Sequence, residues 1–166
     1  GHGNPLPIKV KFEQSSSKKS ILRNISCRHA TQINPVDMAC AKYHNAAVTE
    51  DGKVYTWGLS VDSLGSSSLN KSSSSSMIVA SLVTGMLPEK GGGLAIAVSA
   101  SDQHTAIVTA EGHLFTWGAA LDKNVMGHEG IRWQPSPKRV KGVHRAVSVS
   151  VAKEHTALLV GTLFPG

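Results

Sequence analysis

At 166 residues the chain is long enough for one domain with its own core. Hydrophobic residues make up 40% and charged residues 17%, and no apolar run approaches the roughly 20 residues a membrane helix needs, so a helical membrane protein is excluded. The net charge of +6 favours an acidic partner (nucleic acid, anionic lipid or an acidic protein patch), but the basic residues are scattered, and a soluble domain that happens to be basic is the plainer account.

In chain order, Gly1-His2-Gly3-Asn4-Pro5 has neither the basic start nor the apolar stretch of a secretory signal, and the start reads as cut from something longer. Glu13 to Asn34, with Ser15-Ser16-Ser17-Lys18-Lys19, is a loose connection. The two cysteines, Cys27 and Cys40, cannot make a disulfide framework, and although His29 is near Cys27, the apolar context of Cys40 argues against a zinc site. Cys40 lies in an apolar, strand-like context and reads as a buried thiol in a reducing, intracellular setting. Val36 to Ala41 reads as a short strand. Val48-Thr49, Glu50-Asp51-Gly52 and Lys53-Val54-Tyr55-Thr56-Trp57 read as strand, turn and strand, because Gly tolerates positive φ between β-formers. Ser60 to Ser76 is mostly serine and cannot bury enough apolar surface to offset its ordering entropy, so a loop is expected. Met77 to Val83 is too short to assign. Ile96 to Ala100, Ile107-Val108-Thr109, His113 to Trp117 and Pro137-Lys138-Arg139-Val140 continue the β pattern, and no segment has a convincing helical period.

These elements repeat. Met38 to Gly58 and Val98 to Gly118 align with a constant offset, 104 − 44 = 60 and 117 − 57 = 60, returning His, Gly, an aromatic, Thr, Trp and Gly in register. A third copy starts at Val149, with His155 offset from His104 by 155 − 104 = 51. The longer first period reflects the serine insertion. Four short strands per period of about 51 residues indicate a propeller blade, which has two apolar faces and needs a neighbour on each. The expected fold is therefore all-β: a partial β-propeller of about three blades, each of four short antiparallel strands. Residues 1–35 would be the tail of a preceding blade plus a Ser/Lys-rich loop. Residues 36–95 would be the first repeat with its insertion, 96–146 the second, and 147–166 the start of a truncated third.

The pattern small-x-x-His-Thr/Asn-Ala, then Asp/Glu-Gly, then aromatic-Thr-Trp-Gly resembles the repeats of the regulator of chromosome condensation family. Gly127-His128 and Pro137-Lys138-Arg139-Val140 extend the resemblance over nearly the whole chain, and Gly1-His2-Gly3-Asn4 looks like the same segment of a preceding blade. The resemblance implies a seven-bladed parent, and nucleotide exchange on a small GTPase with chromatin binding. Departures exist. The family's Gly three residues before the His is Ala41, Ser101 and Ala152 here, and the third copy lacks Trp-Gly, with Gly161 to Pro165 resembling a decayed hairpin. Trp133 to Val140 and Lys153-Glu154-His155-Thr156 look most like members related to the inhibitor of Bruton's tyrosine kinase, which couple such repeats to ankyrin and BTB regions.

One residue set repeats and one does not. His44, His104 and His155, Trp57 and Trp117, and Gly52, Gly58, Gly112 and Gly118 recur once per blade, which suits a structural signature: histidines bonding backbone at tight turns, tryptophans packing between blades. The non-repeating Lys138, Arg139, Lys141 and Arg145, with His144, and the loop pair Arg132-Trp133, are the candidate partner-binding residues. A solvated strand face that blocks edge pairing would use the same cations. There is no Gly-x-Ser-x-Gly elbow, and Gly91-Gly92-Gly93 lacks the Lys-Ser/Thr of a phosphate loop. The expected function is a non-catalytic protein-interaction scaffold, with no enzyme activity, cofactor or metal, in the cytoplasm or nucleus. A small-GTPase exchange module and a basic nucleic-acid-binding surface are the alternatives.

Overall fold

The computed structural model describes residues 11–12, 33–65 and 79–162. The first sheet runs β1 (Lys11–Phe12), β5 (Val79–Leu82), β4 (Val54–Gly58), β3 (His44–Thr49), β2 (Pro35–Cys40) in spatial order. The second runs β6 (Ala95–Ala100), β7 (His104–Thr109), β8 (Leu114–Ala119), β9 (Trp133–Arg139), and β10 (Ala146–Val151) pairs with β11 (Thr156–Val160) in the third. All pairings are antiparallel except β1 with β5, which is parallel. The chain is thus a partial propeller. The unassigned run before Val83 contains the fourth strand of blade one, and the fourth strand of blade two begins earlier than expected, at Trp133.

The register repeats with the sequence. His44 pairs Gly58 and Asn45 pairs Trp57, as His104 pairs Gly118 and Thr105 pairs Trp117. Gly52 and Gly112 close the hairpins at φ 73° and 75°, each donating its N–H to the carbonyl of Thr49 or Thr109 at 2.8 Å. Gly58 and Gly118 are required by a close approach: a Cβ would stand 2.5 Å from the Tyr43 oxygen and 2.3 Å from that of Gln103.

Alternation along the strands gives each blade two apolar faces. Ala46, Val48, Val54, Val83 and Met86 of blade one close on Ala95, Val98, Ile107, Phe115 and Trp117 of blade two. Ala106, Val108, Leu114 and Val140 of blade two meet Ala146 and Val149 of blade three. Trp57 turns the other way, packing with Ala47, Tyr55 and Ala80. Cys40 corrects the sequence expectation: it is exposed and free, because its side of β2 is covered by no described element. Cys27, the 1–4 segment, most of 13–34, Ser66 to Ser76 and Phe164-Pro165 lie outside the described residues.

The sequence pattern suggests histidines bonding backbone at their own turns; in the structure His44 and His104 instead join blades. His44 Nε2 lies 2.7 Å from Thr105 Oγ1, and His104 Nε2 lies 3.1 Å from Thr156 Oγ1. Each threonine spends its single hydroxyl proton on a loop carbonyl of the preceding blade, Thr105 on Ser63 and Thr156 on Val125. The histidine must then donate from Nε2, leaving Nδ1 as an acceptor. Ser101 meets His104 Nδ1 at 2.9 Å. In blade one that position is Ala41, and His44 Nδ1 is buried without a partner among the described residues. His155, in contrast, is exposed.

The loop carbonyl collects a second donor, since Trp117 Nε1 bonds the Ser63 oxygen at 2.9 Å. Ser63 is fully buried and its hydroxyl reaches the Gln103 carbonyl, so the start of the serine-rich stretch is an ordered joint, not part of a loose insertion. The threonines of aromatic-Thr-Trp-Gly also repeat: Thr56 donates to Leu64 O and Thr116 to Met126 O, both at 2.6 Å.

Burial pushes His44 and His104 down to about 4. A histidine held neutral in the fold but protonated near 6.5 when unfolded stabilises fully above that value, and its contribution falls as pH drops toward 4. Unfolding stability measured in urea should therefore decline as pH falls from 6.5 toward 4, with a shallower slope in His104→Gln. Ala41→Ser should supply the missing donor to His44 and raise unfolding stability by about 1 kcal/mol in urea melts at pH 7.

Candidate interaction surface

The antiparallel strands divide the loops between two ends. Leu59 N–H reaches Tyr43 O, Ala119 N–H reaches Gln103 O and Ala120 N–H reaches Arg132 O, so the β2–β3 and β6–β7 turns, the segments after Trp-Gly and the start of β9 share one end. Val140 N–H reaches Leu114 O and Ala146 N–H reaches Gly112 O, which sets Glu111-Gly112 and residues 140–145 at the opposite end.

The candidate partner-binding residues are therefore split. Arg132 and Trp133 stand at the first end. Trp133 begins strand β9 rather than sitting in a loop, is 59% exposed, and donates its indole N–H to Asp62 Oδ1 of blade one at 2.9 Å. Lys138 and Arg139 occupy the far half of β9, opposite Thr116 and Phe115. Lys141 and Arg145 follow at the second end with His144, whose ring meets that of His113 edge-on at 6.5 Å. Arg139, Lys141, His144 and Arg145 are exposed, and Lys138 is half-buried. Among the described residues the ion pair is Lys53–Asp51, so no carboxylate lies within salt-bridge distance of these cations. Their field is felt locally: the His128 pKa is lowered, chiefly by burial and partly by Lys138. Arg145 sits at φ 57°, pressed against Gly112, where an added Cβ would stand 2.6 Å from the Arg145 Cα.

The buried repeating residues have no such freedom. His44, His104 and Trp117 are fully buried and bonded across blades, and Trp57 is packed. Among the described residues no group of three or more His, Cys, Asp or Glu could hold a metal ion, and no described helix is long and apolar enough to cross a membrane.

Residues 36–63 and 95–123 match the family model for the regulator of chromosome condensation (RCC1) repeat. The chain carries repeats of this family. The matched segments take in the first three strands of blades one and two and run on into the segments after Trp-Gly that join the blades. RCC1 domain-containing protein RUG3, mitochondrial, of Arabidopsis thaliana is 28% identical over 137 residues, covering 77% of this chain and 29% of that protein. Protein pim1 of Schizosaccharomyces pombe is 34% identical over 138 residues, covering 79% of this chain and 26% of its own length. Among solved structures, human WBSCR16 superposes with a TM-score of 0.62 at 22% identity, over 78% of this chain and 32% of that one. Prp20p of Saccharomyces cerevisiae, a structure described with its binding to Gsp1p and histones, gives 0.57 at 21% identity, over 74% and 29%. The chain thus spans less than a third of the length of each of these proteins. These matches concern the repeat family as a whole and do not select the branch of the inhibitor of Bruton's tyrosine kinase.

The Trp133–Asp62 bond bridges two blades at an exposed position, where a charged acceptor adds modestly to stability. Asp62→Ala should cost about 1 kcal/mol in thermal or urea unfolding and release the indole, seen as a fall in Trp133 fluorescence anisotropy measured in a Trp57→Phe/Trp117→Phe background or by 19F labelling.

Proposed function

We propose that this chain is a non-catalytic protein-interaction scaffold whose regulator of chromosome condensation repeats hold a basic outer surface against an acidic protein partner. The observation that supports this reading most directly is the separation of roles among side chains. His44, His104 and Trp117 are consumed in joining blades, while Arg139, Lys141 and Arg145 are exposed and without carboxylate partners among the described residues. Unneutralised cations on a rigid sheet favour an acidic surface and speed encounter with it. Relatives point the same way: the match to Prp20p, described with Gsp1p and histones, and to the Caenorhabditis elegans homolog of the X-linked retinitis pigmentosa GTPase regulator.

A second reading, nucleotide exchange on a small GTPase, draws on the same relatives. No residue can be carried over for it, since the chain covers less than a third of Prp20p. Nucleic-acid binding through the same cations is the third. The cytoplasmic or nuclear setting expected from composition remains part of this proposal, and the name of one relative is mitochondrial.

Purified Gsp1p loaded with GDP and a duplex DNA of 20 base pairs are suitable probes. Binding to Gsp1p without faster GDP release supports the scaffold reading, and faster release supports exchange. Lys138→Ala/Arg139→Ala/Lys141→Ala should weaken the bound complex by about tenfold at physiological salt. Binding confined to DNA and abolished by salt would replace the protein partner with nucleic acid.

A further inference from the structure

The chain passes from one blade to the next twice, by loops that are anchored alike and built differently. Val83 N–H bonds Val54 O and Ala95 N–H bonds Gly52 O on the way into blade two, as Val140 N–H bonds Leu114 O and Ala146 N–H bonds Gly112 O on the way into blade three. Both loops therefore cross the same, second end. The first runs through the short 3₁₀ segments Thr84–Met86 and Pro88–Lys90, whereas the second is only Lys141 to Arg145. Register places Ser81, Leu82 and Leu94 of the first passage where Lys138, Arg139 and Arg145 stand in the second. The cations thus belong to this one loop and not to the repeat.

The short loop carries backbone strain at a charged residue. Arg145, at φ 57°, is the non-glycine residue in the left-handed region among the described residues, and Leu94 at the matching place is not there. A Cβ is disfavoured in that region, where Gly or Asn is the ordinary occupant. Arg145 is nevertheless held firmly: its Cα rests on Gly112 and its carbonyl accepts the Gly161 N–H at 2.9 Å. The anchoring carbonyls, Gly112 and Leu114, are two residues apart, so the loop closes over about 7 Å of one strand. Lys141, Gly142, His144 and Arg145 are exposed, and no N–H from Lys141 to Arg145 bonds a carbonyl among the described residues. Arg139, also exposed, leads into the loop. The acid of the hairpin beneath, Glu111, is committed elsewhere. Its Oε2 would stand 2.6 Å from a Cβ on Gly93, and the Thr109 hydroxyl holds its carboxyl below the ordinary value. Donors are gathered here with no acceptor of their own.

We propose that the loop from Lys141 to Arg145, together with Arg139, binds a single phosphorylated side chain of a partner protein. The inference rests on the scaffold reading and names what its basic surface takes. A phosphate offers three acceptor oxygens and a charge approaching −2, which suits two guanidinium forks, an ammonium and free backbone N–H groups converging on one short loop better than a carboxylate does. An extended polyanion fits less well. The same end carries exposed Glu50, Asp51 and Glu89 on blade one, so a nucleic-acid backbone or an anionic lipid surface laid across both blades would meet these carboxylates. The basic field is a spot, and a spot matches one phosphoryl group.

The test uses the 166-residue chain, isotope-labelled for NMR. A pool of short peptides with a central phosphoserine and random flanks is titrated in. Saturable amide shifts are expected at Gly142 to Arg145, with binding weaker by about tenfold or more when the centre is Ser or Asp. Arg145→Gly separates binding from folding. It relieves the backbone, so the melting temperature should hold or rise, while phosphopeptide affinity should fall about tenfold. Arg145→Asn, which also tolerates this φ, should behave alike, and Arg145→Lys should keep only part of the affinity because the planar fork is lost. Lys90→Ala, a cation of the same end in blade one, should bind as the parent does. An Asp-centred pool bound as tightly as the phosphoserine pool would leave the scaffold reading standing and overturn this one. So would an absence of shifts, or unchanged affinity in folded Arg145→Gly and Arg145→Asn. Duplex DNA or phosphatidylserine vesicles engaging this loop more tightly than the phosphoserine pool would overturn it in favour of that ligand.

Discussion

The assembly rests on one hydrogen-bonded joint, in which a histidine of one blade and a loop carbonyl of that same blade meet on a threonine of the next. His44 and Ser63 O converge on Thr105, and His104 and Val125 O converge on Thr156. A hydroxyl is well suited to this place because it accepts from one side and donates to the other. Both groups are buried, so leaving either unpaired would cost more than the bond itself contributes. The joint also fixes the tautomer of the histidine, which is why the residue three before it matters: Ser101 completes the arrangement and Ala41 leaves it incomplete.

Around the joint, apolar packing supplies most of the stability and the joint supplies register. Trp117 takes part in both. Its ring is fully buried among Val48, Val54 and Met86, while its N–H shares the Ser63 carbonyl with Thr105. A slip of one residue in β8 would turn the ring to the other face and leave that carbonyl half satisfied. Blade geometry is therefore specified twice, once by hydrophobic pattern and once by buried polar pairing. The surface is left free to vary, and the cations from Lys138 to Arg145 and the exposed Trp133 occur in one blade only.

Much of the fold was legible in the chain. Two copies of His, Asp/Glu-Gly and aromatic-Thr-Trp-Gly at a constant offset are enough to define a repeated β unit with two apolar faces, and hence neighbours. The threonines inside that pattern were equally visible, at Thr56, Thr116, Thr105 and Thr156, but their partners are backbone carbonyls of loops that carry no side-chain signature. Composition misled at Ser60 to Ser63, where the start of a serine-rich stretch reads as loose yet Ser63 is buried by what blade two places on it. It misled at Cys40 for the converse reason: an apolar strand is buried only if something covers that side.

The sequence by itself determined the hairpin turns and the alternation of buried side chains, because these are encoded among near neighbours by backbone preference and hydrophobic pattern, and the period and the family, because those same local patterns return along the chain. Only the tertiary structure decided what the histidines bond and which residues of the basic group share an end of the blade. Those facts depend on how one blade lies against the next, and the acceptors that settle the joint, the carbonyls of Ser63 and Val125, carry no side-chain signature.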